Sequence, residues 1–308
     1  MIDRVEELRF ELPIDALTDD ADFITRALVP FGGGFLNRER MSFVFCGQSW
    51  IVHVDGLIVL IDPCNGNGRK RPGFPYFEDL DTPWLAGLAA AGVAPEEIDI
   101  VFCTHLHCDH CGWNTRDEGG RWVPTFPNAT YLFAAREVAR WDPAAAVDPD
   151  PEFNEYNRHV FAESVAPVLA AGLARLIEPP YRVSPSLLAE AAPGHTHGHM
   201  ILRLESAEAI AYFVGDTLHH PAQILRPDLH LRGCDDLGQA IATRKSLFAR
   251  VAAERALIFP AHFPEPHHGR IVATADGFDF VPGEPFPLLQ AAGTLEHESH
   301  IDTEVPNI

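Results

Sequence analysis

Candidate metal ligands are concentrated in one short segment of the chain, and this segment constrains the fold more than any other feature. It has the sequence Thr-His-Leu-His-Cys-Asp-His over residues 104–110 and follows an apolar, β-rich run over residues 98–103. At a strand end, the alternation of His105 and His107 places both imidazoles on one side, and the following turn brings Asp109 and His110 to a second position. Imidazole and carboxylate groups bind divalent zinc, iron and manganese. Four such side chains in six residues therefore predict the nucleus of a two-metal site.

Three further candidate ligands also follow predicted strands or apolar runs. His195 lies in the sequence APGHTHGH, Asp216 in FVGD and His262 in FPAHF. A ligand at a strand end is held rigidly by the sheet, and the small residues before each of the three leave room for a metal ion. A single histidine is more often a surface or core residue, but seven ligand-type residues in this order predict a metal site.

The charge of the chain excludes some classes of partner. With 23 Lys+Arg and 44 Asp+Glu, the formal net charge is -21, and such a field repels nucleic acid and anionic lipid surfaces. We therefore expect no nucleic-acid partner and no membrane partner. Hydrophobic residues make up 46% and charged residues 22% of the 308 residues, which is typical of a folded globular protein of one large or two small domains.

Cysteine spacing and the N-terminus both bear on the cellular compartment. The six cysteines show no disulfide-framework spacing, so reduced thiols are expected. Cys108 and Cys111 have CxxC spacing without a second CxxC, and we expect small buried side chains rather than a zinc knuckle or redox pair. The N-terminus is acidic where a signal peptide would be basic, and no apolar run approaches the ~20 residues of a membrane span. The expected location is the cytoplasm.

Strands and helices alternate in both halves of the chain. Three short strands over residues 42–46, 49–54 and 57–62, divided by Gly47-Gln48 and by the turn dipeptide Asp55-Gly56, predict an antiparallel meander. Two strand-rich halves flanked by helices indicate a layered α/β sandwich. Further strands are predicted over residues 98–103, 129–133, 187–191, 200–204, 209–214 and 256–259, and helices over residues 81–91, around 137–141, and over 154–171 and 236–253.

The ordered set HxHxDH, PGHT, GD and PAH resembles the metallo-β-lactamase superfamily over roughly residues 40 to 270. The resemblance implies a four-layer αββα sandwich with its site at one edge of the two sheets. It divides the chain into an N-terminal extension or flap (1–40, ending in the glycine-rich stretch FGGGF), a catalytic domain (41–290) and a polar tail (291–308). It also implies two triads of metal ligands and one shared ligand: His105, His107 and His195; Asp109, His110 and His262; and a bridging Asp216.

The chemistry that the resemblance implies is hydrolysis at two metal ions, with Zn²⁺ expected and Fe, Mn or Co as alternatives. Two such ions lower the pKa of a bridging water toward about 7, and the hydroxide attacks a carbonyl or phosphoryl centre. Asp109 and Asp216 would orient this nucleophile, and Asp109 could also shuttle its proton. His197 and His199 do not match the ligand pattern.

The stretch GDTLHHP is most similar to the branch that holds N-acyl homoserine lactone lactonases and methyl parathion hydrolase. Many lactonases carry a tyrosine three residues after the bridging aspartate, where this chain has His219, which is closer to the phosphotriesterase-like pattern. His219 is therefore a catalytic candidate that either hydrogen-bonds the substrate or packs. Phe35, Trp113 and Phe263 are candidates for an apolar wall of the substrate pocket, together with Trp50.

The favoured function is a quorum-quenching-type lactonase that opens a lactone or carboxyl ester. Organophosphate triester and β-lactam hydrolysis use nearly the same metal chemistry and stay open as alternatives. An iron-dependent sulfur dioxygenase is a more distant alternative, and flavodiiron reductases are disfavoured because they have Glu where His107 stands. The expected partners are a small-molecule substrate and a second copy of the chain in a homodimer.

Overall fold

The two halves of the chain form two separate β-sheets. The structure, a computed structural model, describes residues 1–18, 20–28, 34–71, 74–144, 159–207, 209–231 and 233–284. The predicted polar tail, most of the glycine-rich stretch before Phe35 and the first part of the helix predicted from residue 154 lie outside the described residues. The strands in chain order are β1 (Ile2–Pro13), β2 (Leu36–Asn37), β3 (Ser42–Val54), β4 (Leu57–Ile61), β5 (Ile100–Phe102), β6 (Thr115–Asp117), β7 (Trp122–Pro124), β8 (Thr130–Ala134), β9 (Ala174–Ile177), β10 (Tyr181–Ser184), β11 (Leu187–Ala191), β12 (Met200–Glu205), β13 (Ile210–Gly215), β14 (Leu257–Pro260), β15 (Gly269–Ala273) and β16 (Phe278–Pro282).

Both sheets mix parallel and antiparallel pairs. The first sheet has the order β1-β3-β4-β5-β8-β9, with β2 also paired to β3. Its β1, β3 and β4 are antiparallel neighbours, whereas β4, β5, β8 and β9 run parallel. The second sheet has the order β10 to β16, and β13 and β14 are its parallel pair. A separate hairpin joins β6 and β7.

Helices cover the outer face of each sheet. None of those in the described part of the chain is long and apolar enough to cross a bilayer. Residues 159–164 are helical, and the other α-helices are α1 (Ala21–Ala27), α2 (Trp84–Ala90), α3 (Cys108–Cys111), α4 (Ala135–Trp141), α5 (Ala166–Ala170), α6 (Ala222–Leu225) and α7 (Leu237–Glu254).

Side-chain alternation along the strands creates the layers. Trp50 of β3 and Leu202 of β12 point inward and share one apolar core between the sheets. Their neighbours point outward into two other cores. Ile51 packs in the core beneath α2, and Ile201 packs in the core beneath α7. Each buried side chain of this size contributes about 1.5–3 kcal/mol to folding. The predicted αββα sandwich is confirmed.

Helix α7 shows how the outer layers are specified. Its N-cap Asp236 accepts a hydrogen bond from the amide of Gln239, and it ends at Arg255 in the left-handed region, with φ 53°. Its buried positions recur with helical spacing, which places one stripe against the second sheet. These positions are Ala240, Arg244, Leu247, Phe248 and Val251.

The predicted meander is partly wrong. Gly47 and Gln48 form no turn, because β3 runs unbroken from Ser42 to Val54 and pairs with β1 along its length. Strand β1 was not predicted and lies within the segment taken as an N-terminal extension. The Asp55-Gly56 turn is confirmed: both residues have positive φ (53° and 80°), as a two-residue hairpin turn requires.

The register shift in β1 places a buried carboxylate where it holds two loops. Glu7 is the extra residue between Glu6 and Leu8. Its carboxylate accepts hydrogen bonds from the Asn65 amide (2.8 Å) and from Trp113 Nε1 (2.6 Å), and also from the Gly66 amide (3.1 Å). Strand β1 therefore fixes the loop after β4 and the turn after α3, both of which border the candidate ligands.

We predict that Glu7→Ala lowers the free energy of unfolding by about 3 kcal/mol or more, because it leaves several buried N–H groups without an acceptor. Urea denaturation measures this change. The exposed Glu39 offers a matched control, and Glu39→Ala should change stability by less than about 0.5 kcal/mol. Equal effects of the two substitutions would contradict the structural role of Glu7.

Candidate metal centre

The candidate ligands converge at one edge of the sandwich, in loops that follow strand ends. Asp216 directly follows β13, and His262 follows β14 by two residues. These strands are parallel, with Gly215 paired to Pro260, so the two side chains emerge next to each other. The segment after β5 reaches them from the first sheet, and the Met200 amide of β12 donates to the Thr104 carbonyl (2.8 Å) where the two sheets meet.

Three histidines form the first triad. His107 Nδ1 lies 3.0 Å from His105 Nε2 and 3.0 Å from His195 Nε2. All three ligand atoms lie within 4.8 Å of one another. The structure thus brings together the residues for which the sequence predicted a first metal ion.

Two histidines and one carboxylate form the second triad. His110 Nε2 lies 3.3 Å from His262 Nε2. Asp109 completes the group, with one oxygen 3.7 Å from His110 Nε2 and the other 3.6 Å from His262 Nε2. This set matches the residues predicted for a second ion.

The Asp216 carboxylate lies between the triads. Its Oδ2 is 3.2 Å from His195 Nε2. Its Oδ1 is 3.2 Å from His110 Nε2 and 3.0 Å from His262 Nε2. One oxygen therefore faces each triad, which is the arrangement of a carboxylate shared by two metal ions.

The donor set fits two divalent cations. Asp216 Oδ1 is buried without a hydrogen-bond partner, although two ring nitrogens lie within 3.2 Å. In each triad the nitrogens face one another, and a hydrogen bond can pair only one donor with one acceptor. A cation at the centre of each triad would accept a lone pair from every ligand, and nitrogen and oxygen donors suit zinc, iron or manganese.

The charges around the triads are strongly coupled. Burial lowers the pKa of His105 and His107 well below its usual value, and facing imidazoles lower it further, so both are neutral ligands. Burial opposes the protonation of His110, but Asp216 and Asp109 outweigh burial and raise its pKa. Burial also opposes ionisation of Asp216, yet His110 and the other facing histidines hold its pKa well below the usual range. Bound cations would replace the protons that these histidines otherwise share with Asp216.

Two buried carboxylates outside the triads hold the ligand loops. Asp62 accepts from the Thr104 amide (2.7 Å) and from His110 Nδ1 (3.0 Å). Glu137 accepts from the Leu106 amide (3.1 Å) and the Gly198 amide (2.9 Å), one in each loop that supplies the first triad. Sequence reasoning assigned neither residue, since a carboxylate far along the chain carries no spacing signal.

His199 holds the backbone of Asp216. Its Nε2 accepts from the Asp216 amide (3.0 Å), and burial lowers the pKa of His199 to about 3, so it is a neutral acceptor. The preceding Gly215 has φ 47°, and a Cβ there would lie 2.6 Å from Thr104 Oγ1 and 2.8 Å from His199 Nε2. The GD pair in the sequence therefore reflects close packing as well as a ligand.

The three aromatic residues predicted for the pocket wall pack in apolar cores. Phe35 and Phe263 pack edge to face, 5.7 Å apart, in the core beneath α7. Trp113 stacks on Trp84 at 5.2 Å in the opposite core. All are buried, because a large aromatic side chain removes more apolar surface from water in a core than at a site rim. Trp50 is likewise buried, between the sheets.

An aromatic group that the sequence analysis missed lies beside the second triad. The Phe10 ring of β1 is 6.4 Å from the His262 ring and 5.7 Å from the Tyr76 ring. Phe10 is half-buried and Tyr76 is 36% exposed. These two rings are accessible apolar surface next to the candidate metal centre.

His219 lies against the shared carboxylate. Its Nε2 is 3.1 Å from Asp216 Oδ2, and its ring is parallel to that of His262 with centroids 5.6 Å apart. Its amide donates to Gln223 Oε1 (2.6 Å), which fixes the turn after Asp216. The structure therefore places this predicted site residue among the ligands.

The chain is similar to known proteins over most of its length. The family model described as the metallo-beta-lactamase superfamily matches residues 46–262. An N-acyl homoserine lactonase of Bacillus cereus is 23% identical over 182 residues, and one from a Bacillus species is equally similar. Each match spans 59% of this chain and 62% of the length of the relative.

Solved structures share the fold. The hydrolase AbOPH of the beta-lactamase superfamily has a TM-score of 0.76 and 23% identity, with 92% of this chain and 94% of that chain covered. AidC, described as a dizinc quorum-quenching lactonase, has a TM-score of 0.72 and 18% identity, with 93% and 95% covered. A probable metal-dependent hydrolase from Staphylococcus aureus has a TM-score of 0.73 and 17% identity, with 93% and 98% covered.

We predict that His107→Ala and Asp216→Asn each lose bound metal and activity, because the first removes a triad nitrogen and the second weakens the shared carboxylate. Elemental analysis of protein reloaded with zinc and then desalted measures metal per chain. His53→Ala is the control, since His53 lies on β3 with its ring 4.0 Å from Asp3 and outside both triads. Full metal content in both ligand variants would refute the ligand assignment.

Proposed function

The chain belongs to the metallo-β-lactamase superfamily, and we propose that it is a metal-dependent hydrolase that opens lactones or carboxyl esters as a quorum-quenching-type lactonase. The observation that carries this proposal is the Asp216 carboxylate, which presents one oxygen to each of two ligand triads. Two ligand sets that share a carboxylate are suited to clamping one small electrophile. The lactonases among its relatives support the choice of lactone.

The residues of the site have two proposed roles, which are to hold two cations and to move one proton. Divalent cations, with Zn²⁺ first and Fe, Mn or Co as alternatives, would supply a Lewis acid for the carbonyl oxygen and a hydroxide nucleophile at neutral pH. Hydrolysis breaks the acyl C–O bond, and the leaving oxygen needs a proton. The Asp109 side chain is 15% exposed and that of Asp216 only 5%. We assign to Asp109 the transfer of a proton from the attacking water to this leaving oxygen, because Asp109 is the more exposed of the two carboxylates.

The net charge of the chain and two accessible aromatic rings favour an uncharged, partly apolar substrate. A net charge of -21 disfavours anionic substrates, and β-lactam antibiotics carry a carboxylate. Lactones and simple esters are neutral. The accessible rings of Phe10 and Tyr76 offer an apolar surface for an acyl or aryl group.

Phosphotriester hydrolysis is the second candidate function. Phosphotriesters are also uncharged, and His219 stands where many lactonases carry tyrosine. In our proposal His219 Nε2 donates to Asp216 Oδ2, so this residue orients the shared carboxylate.

A rate screen of zinc-loaded protein tests the substrate class. We predict that acyl homoserine lactones of graded chain length, simple lactones and aryl esters are hydrolysed faster than paraoxon-type triesters and a carbapenem. Asp216→Asn protein, prepared in the same way, controls for contaminating esterases. If lactones and esters react no faster than in buffer while another class turns over, the lactonase proposal is wrong.

His219→Phe separates hydrogen bonding from packing, because phenylalanine keeps the ring contact with His262 and removes the nitrogen that faces Asp216. We predict a kcat lower by about 10- to 100-fold with two metal ions retained, a range typical of groups that orient metal ligands. Steady-state kinetics and metal analysis measure both quantities. A wild-type kcat in the variant would assign His219 a packing role only.

A further inference from the structure

Each metal-facing imidazole has a second ring nitrogen, and the partner of that nitrogen fixes the ring. In the second triad, His110 Nδ1 faces the Asp62 carboxylate (3.0 Å) and His262 Nδ1 faces the Cys46 carbonyl (3.0 Å). Such partners hold the N–H on Nδ1 and leave the Nε2 lone pair for the metal. Both are oxygen acceptors, and one carries a full negative charge.

Two histidines of the first triad have weaker partners of this kind. His105 Nδ1 faces the Thr104 hydroxyl (3.1 Å), which itself donates to Asp62 (2.9 Å). His195 Nδ1 faces the Cys234 thiol sulfur at 3.7 Å. A neutral hydroxyl and a thiol sulfur accept more weakly than a carboxylate. The two triads therefore differ in how firmly their histidines are oriented.

The backbone holds Cys234 in this position. The Asp235 amide donates to the His195 carbonyl (2.9 Å), and the Asp236 amide donates to the Gly194 carbonyl (3.0 Å). The His197 amide donates back to Asp235 Oδ2 (3.0 Å). The loop before α7 is thus tied to the His195 loop on both sides of the thiol contact.

Close packing also holds the His195 loop against α7, independently of these hydrogen bonds. Gly194 has φ 132°, and a Cβ there would overlap the Ala240 backbone at the start of the helix. Thr243 Oγ1 of α7 donates to the Pro193 carbonyl (2.6 Å). Neither segment can shift without the other, so the contact between thiol and imidazole is built into the fold.

We propose that Cys234 is a positioning residue that orients His195. We also propose that the first triad, in which a hydroxyl and a thiol orient His105 and His195, releases its metal ion more readily than the second. Cys234 would not contact a bound ion, because the His195 ring lies between its sulfur and Asp216. The inference rests on the proposed two-metal function.

The test measures release of zinc from fully loaded protein into a chromophoric chelator at pH 7. Wild-type protein should release two equivalents in separate phases. In Cys234→Ala, the affinity for the more readily released zinc equivalent should fall by about 10- to 100-fold, as for other partners of ligand histidines. The affinity for the second equivalent should not change. Cys234→Ser, which keeps an acceptor, should recover part of this loss. In cobalt-loaded protein the absorption of one ion should shift in Cys234→Ala.

His230→Ala is the matched control, because His230 lies in the same loop and its ring faces the Asp228 carbonyl. It should release zinc like the wild type. Circular dichroism of metal-free protein excludes a folding defect in any variant. Unchanged release from Cys234→Ala, or an effect confined to the tighter equivalent, would overturn the assignment. Wild-type protein that binds fewer than two ions would instead refute the two-metal function.

Discussion

The buried Asp216 carboxylate is the interaction on which the rest of the structure depends. Its oxygens lie 3.0–3.2 Å from ring nitrogens of His195, His110 and His262. A carboxylate is costly to bury unless charged or polar groups pair with it. Its partners come from both sheets, so this ionic cluster joins the two halves of the sandwich at the edge where their shared apolar core ends. The residues that form the candidate site therefore also hold the two sheets together at this edge.

Other buried carboxylates serve this unit from outside it. Glu7, Asp62 and Glu137 each accept several N–H groups from loops that carry or border the ligands. From the sequence, most of the 44 acidic residues would be taken as solvated surface charge. A few of them instead replace the regular hydrogen bonding that irregular loops lack. These hydrogen bonds hold the ligand loops at the edge of the sheets.

Strand β1 could not be predicted from its own residues, because its pairing with β3 makes it a strand. Its residues are mixed in polarity and carry little strand signal, yet it pairs with β3 along its length and presents Glu7 and Phe10 to the site region. The predicted break at Gly47-Gln48 failed for the same reason, since a long partner strand holds the backbone extended despite a glycine. Hydrophobicity alone also does not separate a core ring such as Phe35 from an accessible one such as Tyr76.

The sequence by itself determined the layered fold and the seven candidate ligands. Alternation along strands and donor residues at strand ends are local patterns, so they can be recognised in the sequence alone. Only the tertiary structure decided how those ligands divide around Asp216 and which nitrogen of each imidazole faces the centre. It also decided that Cys234 lies behind His195 and that His219 lies against Asp216. These contacts join residues 3 to 39 positions apart through turns and loop packing, and no periodicity in the chain encodes that geometry.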